Sequence, residues 1–189
     1  DGVAVVEALM TPDLAKNLIS EVKRITSKPV KYLINTPYHG DHTLGNECFR
    51  PSPIVAHANC REEYITTWDA VIKRFSTEIM PAKADEFTRL SLTPPDVTFE
   101  DTLTIYLGDR QIQLLYYGLA HTRGDIVVYL PKERTIFAGD LAFHHVNQVA
   151  GEGYVSSWIG VLQKVLRLDA STVVPGHGPL GTKENLSEL

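Results

Sequence analysis

The sequence predicts a mixed α/β fold built from layers of sheet and helix. A strand–helix–strand pattern occupies residues 3–34, and a run of β-type segments fills residues 103–137. An amphipathic helix and a last apolar strand follow, over residues 158–168 and 173–174. Alternating strands and helices indicate helices packed on a sheet, and consecutive strands indicate a meander. The two patterns together favour a layered α/β domain that spans residues 1–189.

The first three elements have clear boundaries. Val3–Val6 is an apolar strand, and Thr11 before Pro12 is typical of a helix N-cap followed by proline at the first helical position. Val30–Ile34 is the next strand, after the stop at Pro29. Between them, four apolar residues recur at spacings of four, four and three, which predicts that one helical face is buried: Leu14, Leu18, Val22 and Ile25.

The later elements are predicted by the same periodicities. Residues 54–56 form a short strand, and residues 61–90 form one or two helices broken by Pro81. Aromatic and aliphatic residues recur there at helical spacing: Tyr64, Trp68, Ile72 and Phe75. Four further segments have the composition of strands: 103–107, 112–116, 126–130 and 135–137.

Composition narrows the class of partner. The chain has 189 residues, a net charge of −5 and a pI near 5.8, which argues against binding nucleic acid or an anionic membrane through bulk charge. No apolar stretch reaches the roughly 18 residues of a membrane span. We therefore expect a small-molecule substrate, no nucleic acid and no membrane, with the oligomeric state left open.

The two cysteines and the chain start bear on the compartment. A chain of this length needs no disulfide bond to be stable, so Cys48 and Cys60 are expected to be free thiols. The sequence opens at Asp1, just before a strand, without an initiator methionine or a targeting segment. We therefore expect that the sequence is clipped at its N-terminus. The cellular compartment is left undecided, with the cytoplasm favoured.

Candidate metal ligands follow several predicted strands. His39, Asp41 and His42 lie within four positions of one another, in the loop that follows the strand ending at Ile34. Imidazole and carboxylate groups together suit zinc and similar divalent ions. Three more candidates each come after another predicted strand, beside glycines that allow close backbone approach: His121, Asp140 and His177. Chance composition does not readily explain ligand-type residues at four strand ends.

These segments resemble the metal-binding segments of the metallo-β-lactamase superfamily, in the same order along the chain: 30–46, 118–125, 137–140 and 173–179. The superfamily signature His-x-His-x-Asp-His is matched except at its first histidine, where Pro37 stands. Residues 137–141 and 173–179 resemble the hydrolase branch with glyoxalase II-like and lactonase-like proteins. The resemblance implies an αββα four-layer sandwich with the site at strand ends between two sheets. The family usually has additional strands before the position that matches Asp1, and their absence from this sequence fits the expected clipped start.

The resemblance also implies a ligand set. The first metal site would use position 37 with His39 and His121, the second would use Asp41, His42 and His177, and Asp140 would bridge them. Proline offers no donor, so we expect one or two zinc ions with the second site favoured. One metallo-β-lactamase branch also lacks the first histidine, carrying asparagine, and works with one zinc in the second site. A further departure is Glu7, where the family usually has aspartate.

The implied activity is hydrolysis of an ester, thioester, lactone or amide bond by metal-bound hydroxide, with Asp41, His39 and His121 as candidate catalytic residues. One alternative is a degenerate, non-enzymatic metal-binding domain that acts through a partner. Another is an iron-dependent oxidoreductase, ranked last because such relatives use the first-site histidines. The loops around residues 60–95 and 143–157 would choose the substrate, and they carry no chemical signature.

Other polar residues are assigned simpler roles. His144 and His145 are expected to be loop histidines rather than extra ligands or substrate contacts. His57 is expected to pack or to support the site from behind, and Thr122 to support it through its hydroxyl.

Overall fold

The computed structural model describes residues 1–147, 150–151 and 153–187, and over these it forms two sheets and several helices. The chain divides into two compact units. The first unit comprises Asp1–Ala56 and Arg61–Thr98, and the second comprises His57–Cys60 and Phe99–Leu189. The predicted α/β class is confirmed. Whether residues 1–189 behave as a single domain stays a prediction.

The first sheet has the strand order β1-β2-β3-β4. Its strands are β1 (Val3–Val6), β2 (Val30–Ile34), β3 (Ile54–His57) and β4 (Val97–Phe99). β2 lies parallel to both β1 and β3, so their carboxyl ends share one edge. The loop after β2 therefore leaves from the edge at which the polar residues were expected. β4 is a short strand that the sequence did not predict.

Helix α1 (Pro12–Ile25) follows β1 and begins as predicted. The Thr11 hydroxyl accepts a hydrogen bond from the Leu14 amide at 3.2 Å, and Pro12 occupies the first turn. The predicted buried face was wrong at both ends, because Leu14 is 45% exposed and Ile25 is 85% exposed. The face that packs is rotated: it keeps Leu18 and Val22 from the predicted set and adds Ala15 and Ile19, which the spacing rule passed over.

The helical region of residues 61–90 is longer and more irregular than predicted. It contains α3 (Ala58–Arg74), a π-helical turn (Phe75–Ile79), a 3₁₀ turn (Pro81–Lys83) and α4 (Ala84–Thr88). The break before Pro81 is confirmed, because the π-helical turn ends at Ile79. In the first unit this region packs into a cluster with a short helix, α2 (Gly40–Thr43), through buried side chains: Leu44, Phe75 and Phe87.

The second sheet has the order β5-β6-β7-β8-β9, and its strands are β5 (Thr102–Leu107), β6 (Arg110–Tyr116), β7 (Ile126–Leu130), β8 (Thr135–Phe143) and β9 (Thr172–His177). The first four strands form the predicted antiparallel meander, and β9 adds parallel to β8. Two predicted ends were wrong. β8 extends beyond residue 137, so Asp140 lies inside the strand, and His177 is the last residue of β9.

The second unit also contains two helices: α5 (Val155–Val165), between β8 and β9, and α6 (Lys183–Ser187), after β9. α5 starts and ends three residues before the predicted limits of 158 and 168. Trp158 lies on its buried face with Val161, Leu162 and Val165. Cys48 and Cys60 are thiols that are not joined in a disulfide bond, as expected. Among the described helices, none combines the length and apolar character that crossing a membrane requires.

Candidate metal centre

The loop after β2 brings three ligand-type side chains into one tight turn of the first unit. The Thr43 hydroxyl donates to the carbonyls of Tyr38 and His39 at 3.0 and 2.9 Å, and the His42 amide donates to the His39 carbonyl at 3.0 Å. These bonds wind the loop into α2, so that His39, Asp41 and His42 follow one another within a single helical turn. Pro37 is buried at the start of this loop.

Gly40 allows this loop to pack against the helical region. A Cβ atom at Gly40 would lie 2.7 Å from Cε2 of Phe75 and 2.9 Å from Cγ1 of Val71. Carbon atoms do not approach so closely, so a larger residue at this position would displace the loop that carries His39 and Asp41.

Glu7 supports His42 from behind. It lies just past β1 in the left-handed backbone region, with φ of 70°. Its carboxylate accepts hydrogen bonds from the Thr36 amide at 3.1 Å and from the Thr36 hydroxyl. The other carboxylate oxygen lies 3.8 Å from Nδ1 of His42, whose Nε2 lies 3.4 Å from Oδ2 of Asp41. Although glutamate is longer than the aspartate usual in the family, its carboxylate still lies beside Nδ1 of His42. The other ring nitrogen of His42, Nε2, faces Asp41.

Asp140 is the centre of the second unit's contribution. Its Oδ2 lies 3.2 Å from Nε2 of His121, and its Oδ1 lies 3.4 Å from Nε2 of His177. The Asp140 side chain is only 2% exposed, whereas that of His177 is 40% exposed. A buried carboxylate whose two oxygens face two different imidazoles has the arrangement of a bridging ligand.

Aromatic packing holds both imidazoles of the second unit. The His121 ring meets Trp158 and Phe143 edge-on, with centroids 5.3 and 5.7 Å apart. The His177 ring stacks on Phe143 at 5.3 Å with an interplanar angle of 17°. Phe143 therefore orients both histidines, through interactions that aromatic rings favour.

The turn from His121 to Asp125 is closed by a buried carboxylate. Asp125 accepts hydrogen bonds from the amide and the hydroxyl of Thr122, at 2.6 and 2.7 Å. Burial raises the pKa of the Asp125 carboxyl, while the Thr122 hydrogen bonds and the nearby His121 oppose the rise. The Thr122 hydroxyl thus holds Asp125, and its support of the site stays a prediction. The sequence did not identify Asp125, because an aspartate after glycine also suits an ordinary turn.

His57 has the packing role that the sequence predicted. Its Nδ1 accepts a hydrogen bond from the Asn59 amide at 3.1 Å, and its Nε2 lies 2.7 Å from the Glu100 carbonyl oxygen. The ring stacks on Tyr116 with centroids 3.8 Å apart. Both ring nitrogens of His57 thus make hydrogen bonds, and the one to Asn59 holds the start of α3.

The two loop histidines differ from each other. His145 is exposed with φ of 56°, as a loop residue can be. His144 is buried, and its Nδ1 lies 3.0 Å from the carbonyl oxygen of Pro179. Both residues lie in the loop after β8, as predicted, but the prediction did not anticipate that the His144 ring is buried. The sequence cannot predict which of two adjacent histidines is buried, because both have the same residue type and nearly the same neighbours.

Each unit supplies side chains with the chemistry to hold a metal ion: His39, Asp41 and His42 in the first unit, and His121, Asp140 and His177 in the second. The resemblance sorts them into a first group of His39, His121 and Asp140 and a second group of Asp41, His42 and His177. Imidazole and carboxylate donors in threes, with room for a water molecule, suit catalytic zinc. All six predicted ligands belong to one of the groups, and their use as ligands stays a prediction.

The comparisons with known proteins agree with the fold. A type 2 metallo-β-lactamase of Bacillus cereus is 25% identical over 96% of this chain and 65% of its own length. A linear primary-alkylsulfatase of a Pseudomonas species is 22% identical over 100% of this chain and 42% of its own length. The chain thus spans less than two thirds of the length of either relative.

A solved metallo-β-lactamase from Pontibacter korlensis superposes with a TM-score of 0.76 at 25% identity, covering 98% of this chain and 79% of that one. This similarity confirms the metallo-β-lactamase fold that the resemblance implied. The family model of the metallo-β-lactamase superfamily matches residues 1–177. The match takes in every candidate ligand from His39 to His177. The chain therefore belongs to the metallo-β-lactamase superfamily.

Proposed function

We propose that this chain is the catalytic domain of a metal-dependent hydrolase that cleaves an ester, thioester, lactone or amide bond. The observation that carries the proposal is the position of Asp140, whose two oxygens face His121 and His177 at 3.2 and 3.4 Å. A structural scaffold gains nothing from a buried carboxylate between two imidazoles, because burying charge is costly. The same arrangement serves well as a ligand set.

The second group of ligands is the proposed holder of the tighter zinc ion. Asp41, His42 and His177 all offer donor atoms, and Glu7 stands behind His42. The first group has His39, His121 and Asp140, and Pro37 adds no donor to it. Bound zinc would activate a water molecule and polarise the scissile bond. With Asp140 bridging the two sites, as the resemblance implies, the second site would have four donors and the first site three, so ligand count favours the second site, with a weaker first site.

The imidazoles of the first group are the proposed proton carriers. His39 and His121 remain available when only the second group is filled. Phe143 and Trp158 hold the His121 ring edge-on, so that it keeps one orientation. A fixed neutral imidazole can take a proton from the attacking water and return it to the leaving group. The reaction then needs no second metal.

The substrate is proposed only as a class. The names of the two relatives point to a cyclic amide and to a primary alkyl sulfate, and the family resemblance adds lactones and thioesters. An informative panel therefore contains nitrocefin, a lactone, a thioester, a primary alkyl sulfate and a phosphodiester. We expect turnover of at least one carboxylic acid derivative.

The test combines elemental analysis of protein purified without added metal with rates on this panel. We expect about one zinc per chain or more, loss of turnover after chelation, and recovery when zinc is restored. Asp140→Asn is a matched variant, because it keeps the shape and removes the charge. Protein without any metal, or turnover unaffected by chelation and by Asp140→Asn, would overturn the proposal.

A non-enzymatic metal-binding domain is the second candidate, and Pro37 is the observation that favours it. A chain that has lost one ligand can keep a structural ion without catalysis. Tight zinc binding with no turnover of any substrate class in the panel would favour this alternative.

A further inference from the structure

We propose that His144 is a positioning residue that holds the turn carrying His177. The inference rests on the proposed function, in which His177 is a metal ligand. The turn in question runs from His177, the last residue of β9, to Gly181. His144 is the first residue after β8, the strand that pairs with β9.

Two hydrogen bonds run from His144 to this turn. The His144 amide donates to the His177 carbonyl at 3.0 Å, and Nδ1 lies 3.0 Å from the Pro179 carbonyl oxygen. A carbonyl oxygen can only accept, so Nδ1 must carry the proton. One residue thus binds the turn through its backbone and through its side chain, two positions apart.

The turn also packs closely around His144. A Cβ atom on Gly181 would lie 2.3 Å from Cε1 and 2.5 Å from Nδ1 of the imidazole. A Cβ atom on Gly178, which has φ of 97°, would lie 1.9 Å from the His144 carbonyl oxygen. Only glycine lets the chain approach this closely, so the turn and the imidazole are fitted to each other.

The other ring nitrogen shows that the Nδ1 bond matters. With the proton on Nδ1, Nε2 carries a lone pair, and it is buried without a hydrogen-bond partner among the described residues. His144 is only 3% exposed. A buried acceptor without a partner destabilises the fold, so an apolar side chain would be preferred here if filling space were the only task. The bond to Pro179 is the gain that offsets this cost.

The position of His177 depends on that bond. The His177 imidazole stacks on Phe143 and faces Asp140, and its side chain is 40% exposed. If the Pro179 carbonyl is released, the turn can shift and move Nε2 of His177 away from Asp140. Losing a group that orients a ligand commonly weakens metal binding by about 10- to 100-fold.

Three variants of the zinc-loaded protein test the proposal. His144→Leu keeps the bulk and loses the donor. His144→Asn keeps a donor, because its amide nitrogen takes the place of Nδ1. His145→Asn is the matched control: it removes the neighbouring imidazole, and asparagine tolerates the positive φ at that position.

Zinc affinity by chelator competition is the main measurement, together with kcat and KM on the best substrate of the panel. We expect His144→Leu to weaken zinc binding about 10- to 100-fold and to lower kcat more than it raises KM. His144→Asn and His145→Asn should stay close to the unaltered protein. Unchanged affinity in His144→Leu, or equal loss in His144→Asn, would overturn the proposal.

A second measurement separates this inference from the proposed function. If the unaltered protein binds no zinc, the proposed function fails, and the turn can still be examined in the metal-free protein. Nitrogen NMR shifts should then show His144 with its proton on Nδ1, and the His144→Leu variant should exchange the amides of the 177–181 turn faster. A proton on Nε2, or unchanged exchange, would contradict the positioning role.

Discussion

Pro37 decides how many donors the loop after β2 can offer. It is buried where the superfamily signature has its first histidine, and it has no side-chain atom that binds metal. We predict that Pro37→His raises the metal content toward two zinc ions per chain, because it adds a third imidazole to the group of His39 and His121. Elemental analysis after dialysis against limiting zinc measures this.

Pro37→Ala is the control for that change, since it removes the ring without adding a donor. It should leave the metal content as it is. If the unaltered protein already binds two ions with equal affinity, counting ligands is the wrong guide to this site.

His121 and His177 face opposite oxygens of Asp140, yet we predict different roles for them. His121→Ala should lower turnover by about a hundredfold or more while most of the zinc stays bound, as expected for loss of a proton carrier. His177→Ala should remove the tightly held zinc itself. Zinc stoichiometry and hydrolysis rate, measured on both variants, separate the roles. Equal loss of zinc would show that His121 is a ligand and that the first site is filled despite Pro37.

At the scale of the element, the pairing of β8 with β9 depends on Gly176. A Cβ atom there would lie 2.1 Å from Oδ1 of Asp140, 2.8 Å from the Gly139 carbonyl carbon and 2.9 Å from the Asp140 amide nitrogen. Two of these are backbone atoms, so the strands themselves would have to separate. We predict that Gly176→Ala lowers the free energy of unfolding by about 1–3 kcal/mol, the usual effect of overpacking. Urea denaturation measures it.

Gly160 provides the matched control within the same unit. It lies in α5, and a Cβ atom added there meets nothing within 4 Å. Gly160→Ala should therefore stabilise the protein by up to about 1 kcal/mol, because alanine favours the helix. Destabilisation of similar size by both changes would show that close approach is not the cause.

The same strand pair shows why element ends were hard to predict. Gly139 and Asp140 have the composition of a turn, so the sequence ended the strand at residue 137. The β8–β9 ladder instead continues through two register shifts, to Phe143 opposite His177. Local propensity cannot report a pairing with a strand thirty or more positions away, because that pairing depends on the whole sheet.

At the scale of the whole molecule, His57 should make stability depend on pH. Burial lowers its pKa below the ordinary value of 6.5, and the Glu100 carbonyl and the charges of Glu100 and Asp101 oppose that shift. The unfolded chain then binds more protons than the folded one, so stability is full above the ordinary pKa and falls as the pH drops below it. Protonated His57 also could no longer accept from the Asn59 amide.

The measurement is urea denaturation of metal-free protein at about pH 7.5 and about pH 5.5. His57→Asn keeps a side-chain acceptor near the Asn59 amide and does not titrate. It should lower stability at neutral pH and lose less on acidification than the unaltered protein does. Both proteins share the other histidines, so the contribution of those residues to the pH dependence of stability cancels when the two proteins are compared. Equal acid sensitivity would rule His57 out as the cause.

The sequence by itself determined the α/β class, the start of α1 at Thr11 and Pro12, and the six candidate ligands. These follow from periodicity, capping chemistry and donor type, which are properties of short segments. Only the tertiary structure decided which face of α1 is buried, that Glu7 reaches His42, and that His144 turns inward beneath Pro179. Those outcomes depend on contacts between segments that are far apart in the sequence. The residues next to a side chain along the chain do not indicate which distant residue it will contact.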